Sequence, residues 1–193
     1  MSSPDLILAS TSRYRASLLT RLGLPFRTLA PAVDETAEPG ADPARLAQRL
    51  AEAKARAGAA QAPGCIVIGS DQVACRDAVI LGQPGDEATA IAQLMASSGR
   101  TVGFLTALCV IAADGSAHRY LDRTTVRFRE LALDEVERYV GAEQPLDCAG
   151  AFKVEGLGIS LFEAVETEDP TALIGLPLIA LSRILRELGT PLP

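Results

Sequence analysis

A short apolar run, Ile66–Ile68, constrains this chain more than any other stretch. Three β-branched residues in succession are typical of a strand that is buried on both faces. We expect the strand to stop at Gly69–Gln72, because glycine and polar residues follow it at once. Ligands of α/β sheets bind at the carboxyl ends of strands, so Asp71 is placed to orient a water molecule or hold a metal ion. The alternative is that Asp71 only caps a turn.

Composition places the chain among ordinary globular proteins. Of its 193 residues, 48% are hydrophobic and 22% are charged, which suffices for a core in one domain or two small lobes. No apolar run is long enough to span a bilayer, and the N-terminus lacks the basic and apolar regions of a signal peptide. The four cysteines show no C-x-x-C spacing. We therefore expect a cytoplasmic protein with reduced, mostly buried thiols and no membrane partner.

The charge balance limits the partners. A formal net charge of −6 and a pI near 4.9 argue against a broad nucleic-acid surface, but a small anion can bind where a few cations or a metal converge. The single histidine, His118, follows a predicted turn over 114–116, where solvent exposure is expected. Histidine-based catalytic triads and zinc sites are therefore poorly supported. We expect a small-molecule partner and no nucleic acid.

The N-terminal segment has the pattern of an anion site. Leu6–Ala9 predicts a short buried strand, and Arg13–Leu22 predicts a helix that Gly23 ends. The hydroxyl-rich loop between them, Ser10–Ser12, leads into the helix start, where free backbone N–H groups and two arginines carry positive charge. N-capping hydroxyls beside solvated arginines are a common alternative. Three hydroxyls and two arginines together favour a phosphate site.

Two further segments supply candidate side chains. Phe26–Ala30 predicts a strand that leads into Asp34 and Glu35, and such acidic pairs usually only solubilise a loop. An Asp-Pro pair predicts the start of a helix over 43–60. Lys54 lies among alanines near the apolar face of that helix. Most helical lysines are solvated, but one flanked by small residues is able to reach into a cleft.

The remaining pattern completes an α/β fold. A hairpin is predicted over 73–81, long strands over 100–112 and 117–128, and a further strand over 159–165, with helical patterns between and after them. Because hairpins interrupt the alternation of strands and helices, we expect a mixed, largely central β-sheet flanked by helices. The sequence has neither repeats nor a linker, so we expect a single domain over 1–193.

Eight short sequence blocks are distributed over nearly the whole chain: Leu8-Ala-Ser-Thr-Ser-Arg-Tyr-Arg15, Val33-Asp-Glu35, Ala53-Lys-Ala55, Gly69-Ser-Asp-Gln72, Gly82-Gln-Pro84, Ala149-Gly-Ala-Phe-Lys153, Glu155-Gly156 and Ile174-Gly-Leu-Pro177. In these blocks and their order the chain resembles the Maf-like proteins. So many ordered blocks make the resemblance specific. It implies a fold similar to that of inosine triphosphate pyrophosphatases and the hydrolysis of nucleoside triphosphates. We expect two lobes with the active site in the cleft between them.

Three positions resemble the branch of the family that acts on 7-methyl-GTP. They are an aromatic residue in the first loop, a glutamine after the catalytic aspartate and a glutamate in the late glycine segment, here Tyr14, Gln72 and Glu155. The branch that acts on dTTP and UTP usually has arginine, threonine and glutamine there. The resemblance therefore implies cleavage of 7-methyl-GTP to 7-methyl-GMP and pyrophosphate. Two alternatives stay open: a pyrophosphatase for dTTP, UTP or another modified nucleotide, and a nucleotide-binding regulator of cell division without turnover.

The resemblance also implies roles for the candidate side chains. Asp71 corresponds to the general base and a metal ligand, and Glu35 is its companion in holding a divalent cation. Two hard carboxylates suit Mg²⁺ or Mn²⁺, completed by waters and substrate phosphates. Lys54 and Arg15 match the cationic phosphate contacts of the family, with Ser10 at the helix start.

The base pocket and the departures from the family pattern concern other residues. A Tyr14 ring would stack on the positively charged 7-methylguanine, and Glu155 would accept hydrogen bonds from its N1–H and amino group. The chain has Arg13 where proline is usual, Ala16 where this branch often has a second arginine, and Gln83 in place of the lysine of Gly-Lys-Pro. The last change removes one cation from the phosphate site. The oligomeric state is open, with a homodimer as one option.

Overall fold

The computed structural model describes residues 5–38, 40–77 and 79–193. Within these ranges the helices and strands follow one another in the order β1 (Leu6–Ala9), α1 (Arg13–Thr20), β2 (Arg27–Leu29), α2 (Pro43–Gln61), β3 (Ile66–Arg76), β4 (Val79–Leu81), α3 (Glu87–Ser97), β5 (Thr101–Ile111), β6 (Ala117–Phe128), α4 (Leu133–Glu143), β7 (Phe162–Glu166) and α5 (Leu178–Glu187). Short 3-10 helices occupy Ala149–Ala151, Leu157–Leu161 and Ala172–Ile174. The predicted α/β class is confirmed.

The strands form one mixed sheet. Their order is β2-β1-β3-β5-β6-β7, with β4 paired to β3 outside this path. β1 pairs in parallel with β2 and β3, whereas β3–β4 and β6–β7 are antiparallel. Among the described residues, no helix combines the length and the apolar character that crossing a membrane requires.

The contacts divide the chain into two compact units. The first contains residues up to Asp71 together with Thr106–Asp122 and Asp169–Pro193, and the second contains Gln72–Leu105 and Arg123–Glu168. Each unit has hydrophobic packing of its own. The organisation of 1–193 as a single domain stays a prediction.

The first unit is built around β1, whose four residues are all buried, as its apolar sequence predicts. Its core also takes Leu18 and Leu19 from α1 and a run of apolar side chains from α5, including Leu181 and Leu185. Gly23 has φ +68°, the left-handed conformation expected of a glycine that follows a helix. This core holds the strand–loop–helix junction that the sequence predicts at Ser10–Ser12.

Helix α2 lies close against the strands of the first unit because two glycines permit it. A Cβ added at Gly58 would lie 2.8 Å from Cγ1 of Val67. A Cβ at Gly69 would lie 2.3 Å from the carbonyl oxygen of Ala51 and 2.5 Å from the backbone nitrogen of Ala55. Any side chain at position 69 would therefore collide with backbone atoms of α2. Unlike a side chain, these atoms cannot rotate to another position.

An ionic cluster ties the outer side of α2 to β6. Arg119 donates two hydrogen bonds of 2.7 Å to the carboxylate of Glu52, and Arg56 donates one of 2.8 Å. Hydrogen bonds from Arg119, and then from Arg56, lower the pKa of Glu52 from 4.5 to about 2. Because the folded pKa lies below the unfolded one, Glu52 adds stability above pH 4.5, and that stability is lost as the pH falls toward 2.

We therefore expect Glu52→Gln to change the acid sensitivity of folding. The free energy of unfolding of the variant should depend less steeply on pH between about 4.5 and 2 than that of the wild type. Urea titrations at several pH values measure this slope, with Glu137→Gln, an exposed glutamate of α4, as control. Equal slopes in the wild type and Glu52→Gln would contradict the assignment.

The second unit has an aromatic core. Four phenylalanines pack edge to face, with ring centroids between 4.8 and 5.8 Å apart: Phe104, Phe128, Phe152 and Phe162. Such edge-to-face pairs add stability beyond the area they bury. Phe152 contacts three of these rings and immediately precedes the segment that carries Glu155.

Three expectations about the fold are wrong in part. β3 does not stop at Gly69 but continues to Arg76, because its polar residues find buried partners. The strand expected over 159–165 begins only at Phe162, after a 3-10 helix. All four cysteines lie outside disulfides, as expected, but only Cys109 is buried. The hairpin over 73–81 is confirmed by the antiparallel pairing of β3 and β4, although its turn residue Ala78 lies outside the described residues.

Candidate active site

Hydroxyl groups and an arginine meet where β1 passes into α1. Ser12 is the N-cap of α1, and its side chain accepts a hydrogen bond of 3.3 Å from the backbone N–H of Arg15. The N–H of Ser12 donates to Oγ of Ser10 at 3.1 Å. The Arg15 guanidinium lies 3.4 Å from that same Oγ and donates through Nε to the Gly175 carbonyl at 2.9 Å. Ser12 therefore caps the helix and Arg15 lies against Ser10, while a phosphate site at this junction stays a prediction.

A buried ammonium group between two carboxylates forms the centre of the site. Nζ of Lys54 lies 2.7 Å from Oδ1 of Asp71 and 2.8 Å from Oε1 of Glu35. The side chains of Lys54 and Asp71 are 6% and 9% exposed, whereas that of Glu35 is 60% exposed. A charge this deeply buried is tolerated only when it is paired. Lys54 and Asp71 therefore depend on each other, and Glu35 forms the solvent-facing side of the group.

The glycine at position 69 brings these two charges together. Lys54 lies on α2 and Asp71 lies on β3, two residues beyond the contact between Gly69 and the helix backbone. Asp71 is therefore held inside a continuous strand rather than in a flexible strand-end loop. The expectation that a rigid strand delivers this carboxylate is right, although the strand does not end there.

Burial and neighbouring charges act on Asp71 in opposite directions. Burial raises the pKa of Asp71, whereas the charge and hydrogen bond of Lys54, and then the charge of Arg15, lower it. The charge of Glu35 raises it slightly further. Burial also lowers the pKa of Arg15, against the attraction of Asp71 and Glu35, but a guanidinium stays protonated in proteins. The first unit thus gathers two carboxylates and two cations within electrostatic reach of one another.

The sequence did not reveal the role of Ser70. Its side chain is fully buried, and Oγ lies 2.8 Å from the carbonyl oxygen of Ala107 and 3.0 Å from that of Gly175. Gly175 also accepts the Arg15 hydrogen bond, so one carbonyl connects Arg15 to the strand that carries Asp71. The family block Ile174–Pro177 contains this glycine, but nothing in the block indicated that Ser70 donates to its carbonyl.

Two further residues missed by sequence reasoning hold the loop that carries Gly175. Asp169 is 1% exposed and accepts a hydrogen bond of 2.7 Å from the N–H of Ile179. The Thr171 hydroxyl donates to Asp169 at 2.6 Å and accepts from the N–H of Leu178 at 2.8 Å. These residues cap α5 from seven to ten positions upstream, which is beyond the range of local capping patterns.

The predicted base-contacting residues are distributed over both units. Tyr14 lies on α1 in the first unit, where Arg13 donates a hydrogen bond of 2.8 Å to its hydroxyl. The Arg13 guanidinium also lies over the ring, 4.8 Å from its centroid. Gln72 and Glu155 belong to the second unit, with Gln72 in β3 and Glu155 exposed in a turn. Their contacts with a base stay predictions.

The two predicted metal ligands, Asp71 and Glu35, both contact the ammonium group of Lys54. Asp71 and Glu35 each place one oxygen within 2.8 Å of the same ammonium nitrogen. Among residues 5–38, 40–77 and 79–193, no three histidine, cysteine, aspartate or glutamate side chains gather in a group able to hold a metal. Hard carboxylate oxygens suit Mg²⁺ or Mn²⁺, which commonly complete their coordination with water and substrate phosphates. The donor set therefore fits such an ion only when other oxygens contribute.

The molecule is an α/β protein whose site combines two carboxylates with two cations, as sites for phosphorylated substrates do. Its sequence matches the profile of the family described as Maf-like protein over residues 5–188. This chain belongs to that family, and the resemblance predicted from the eight blocks is confirmed.

Similar proteins named 7-methyl-GTP pyrophosphatase occur in several bacteria. The one from Xanthomonas oryzae pv. oryzae is 58% identical, covering 98% of this chain and 100% of that protein. Those from Burkholderia pseudomallei and Albidiferax ferrireducens are 54% and 51% identical, covering 99% and 98% of this chain and 91% and 97% of theirs. A solved Mycobacterium abscessus structure, described as a nucleoside-triphosphatase or dITP/XTP pyrophosphatase, is 20% identical over 98% of each chain, with a TM-score of 0.48.

Proposed function

We propose that this protein hydrolyses 7-methyl-GTP to 7-methyl-GMP and pyrophosphate. The observation that carries the proposal is the buried Lys54 ammonium held between Asp71 and Glu35, with Arg15 within electrostatic reach. This arrangement supplies a base and fixed positive charge at one place, which hydrolysis of a phosphoanhydride requires. We infer the identity of the nucleotide from relatives named 7-methyl-GTP pyrophosphatase, which are 51–58% identical over nearly their full length.

Asp71 acts as the general base in this proposal. It accepts a proton from a water molecule whose oxygen bonds to the α-phosphorus. The bond from that phosphorus to the bridging oxygen breaks, and pyrophosphate leaves with the electron pair. Burial makes the carboxylate of Asp71 more basic than a solvated one, while the Lys54 charge favours its ionised form.

The cations and the first hydroxyl bind the phosphates. Lys54 and Arg15 offset the negative charge of the triphosphate and of the leaving pyrophosphate. Ser10 and the first N–H groups of α1 lie beside Arg15 and add hydrogen-bond donors. Glu35 and Asp71 would hold the divalent cation. Mg²⁺ or Mn²⁺ bound there would neutralise part of the phosphate charge.

A nucleotide panel tests the reaction. Incubation with a divalent metal should convert 7-methyl-GTP to its monophosphate and pyrophosphate in equal amounts, and chelation of the metal should stop the release. Chromatography of the nucleotides together with a pyrophosphate assay measures both products. Release of orthophosphate and a nucleoside diphosphate would contradict cleavage at the α-phosphate. Binding of nucleotide without any turnover would support a regulatory protein instead.

The arrangement of Arg13 and Tyr14 supports recognition of a cationic base. The Arg13 guanidinium lies 4.8 Å from the centroid of the Tyr14 ring, and this cation–π contact supports the proposal that the ring accepts a positively charged base. A 7-methylguanine carries positive charge in its own ring system and offers the same kind of contact. Glu155 adds negative charge and hydrogen-bond acceptors that suit the donors of the guanine edge. Gln72 is proposed to contribute to the same selectivity.

Substitutions at Tyr14 and Glu155 test this base recognition. Tyr14→Ala should raise KM for 7-methyl-GTP selectively, by the loss of a contact worth about 0.5–2 kcal/mol, whereas Tyr14→Phe keeps the ring and should stay close to the wild type. Glu155→Gln should lower kcat/KM for 7-methyl-GTP more than for UTP, because the negative charge and one acceptor are lost. Steady-state kinetics on both nucleotides measure the ratio of kcat/KM. Equal losses for both nucleotides would refute the base-recognition roles but not the hydrolysis.

A further inference from the structure

The turn that carries Glu155 is tied to the end of α4 on both sides. Before it, the backbone N–H of Lys153 donates to the hydroxyl of Tyr139 at 3.0 Å. After it, the backbone N–H of Leu157 donates to Oε2 of Glu143 at 2.7 Å. Tyr139 and Glu143 lie one turn apart on α4. The same helix end therefore holds both sides of the turn.

The Lys153 side chain strengthens this attachment. Its ammonium donates to the carbonyl oxygens of Glu143 at 2.6 Å and Gln144 at 3.3 Å, where the last carbonyls of α4 carry partial negative charge. It also lies 4.0 Å from the Glu143 carboxylate. The side chains of Lys153 and Glu143 are only 12% and 19% exposed. We call Tyr139, Glu143 and Lys153 the polar brace.

The turn is packed tightly on the polar brace. A Cβ added at Gly156 would lie 2.5 Å from Oε2 of Glu143, so only glycine fits here without moving that carboxylate. A Cβ at Gly158 would lie 2.4 Å from the carbonyl oxygen of Lys153. Glu155 itself is exposed, and its charge is near enough to contribute to the raised pKa of Tyr139, which burial mainly causes. The exposed Glu155 carboxylate thus belongs to a turn that packs closely against the polar brace.

We propose that Glu143 is a positioning residue that sets base selectivity by holding the Glu155 turn in place. The inference rests on the proposed function, in which Glu155 contacts the methylated guanine. Parallel hydrogen bonds to a base edge weaken steeply with small changes in distance and angle, so the carboxylate has to be held in place. A loose turn would also lose conformational entropy on binding. If the polar brace only stabilised the fold, its loss would change kcat/KM for every substrate by a similar factor.

Truncation of Glu143 tests the inference. Glu143→Ala removes the acceptor of the Leu157 N–H and should lower the ratio of kcat/KM for 7-methyl-GTP over UTP by about tenfold, while kcat/KM for UTP changes little. Glu143→Gln keeps an acceptor oxygen and should restore most of the ratio. Glu137→Ala, an exposed position on the same helix, is the matched control and should leave the ratio unchanged. If Glu143→Ala does not fold, Gly156→Ala serves instead, because its Cβ displaces the same carboxylate.

A double-mutant cycle separates this inference from the proposed function. If Glu143 acts through Glu155, then adding Glu143→Ala to Glu155→Ala, which removes the whole base-contacting group, should not lower the ratio further. A ratio changed by Glu155→Gln but not by Glu143→Ala would overturn the positioning role alone. A ratio changed by neither would overturn both the base contact of Glu155 and the positioning role. Full additivity of the two substitutions would show that Glu143 acts independently of Glu155 and would also overturn it.

Discussion

Asp71→Asn should lower kcat by about a hundredfold or more, the usual scale for the loss of a general base. The asparagine keeps an oxygen able to accept the hydrogen bond that Lys54 donates at 2.7 Å, and Lys54 retains its ion pair with Glu35. The fold should therefore survive the change. The variant loses the capacity to take a proton from water and one negative charge, which also weakens its hold on the divalent cation.

The matched control for Asp71→Asn is Asp77→Asn. Asp77 pairs with Arg100 on the surface and has φ +48°, a conformation that asparagine tolerates as well as aspartate does. This variant should keep normal kcat, while thermal unfolding and circular dichroism confirm that both variants are folded. Turnover close to that of the wild type in folded Asp71→Asn would remove Asp71 from the role of base.

Gly69→Ala should strongly destabilise the first unit. Its Cβ would lie 2.3 Å from the Ala51 carbonyl oxygen and 2.5 Å from the Ala55 nitrogen, so α2 has to move away from β3. Overpacking of this kind costs about 1–3 kcal/mol and more when backbone has to shift, and we expect about 3 kcal/mol. For a chain of this length, that corresponds to a fall in Tm of roughly 6–12 °C. The same displacement moves Lys54 away from Asp71, so activity should fall as well.

Gly141→Ala is the control for this prediction. Gly141 lies on α4, and a Cβ added there would meet nothing within 4 Å. Replacement of an exposed helical glycine by alanine should raise stability by about 0.5–1 kcal/mol. Urea unfolding at constant pH measures both variants. A Gly69→Ala protein as stable as the wild type would mean that α2 is free to move without cost, and that Gly69 does not set its position.

The N-terminal junction shows what local sequence patterns predict well. An apolar strand, a capping hydroxyl and a glycine after the helix lie within 18 residues, and each acts on its immediate neighbours. The predicted strand, helix and cap are all present; the helix begins at Arg13 as predicted and ends two residues earlier, at Thr20. The ordered blocks also indicated the family, which the sequence profile confirms over residues 5–188.

The polar end of the Ile66–Ile68 run shows where local patterns fail. Serine and aspartate after an apolar run usually mark a loop, because buried polar groups without partners are costly. Here the partners are far away in sequence: Lys54 for Asp71, and Ala107 and Gly175 for Ser70, at separations of 17, 37 and 105 residues. No local periodicity records such partners, so the strand was predicted to end too early.

The sequence alone therefore determined the α/β class, the family and the side chains available for catalysis, because these follow from residue types, spacing and order. Tertiary structure alone decided that Lys54 lies between Asp71 and Glu35, and that Arg15 and Ser70 share the Gly175 carbonyl. It also decided that the end of α4 supports the Glu155 turn. The physical reason is the same in each case. Hydrogen bonds and ion pairs join residues by distance in space, and packing sets that distance through contacts such as Gly69 against α2.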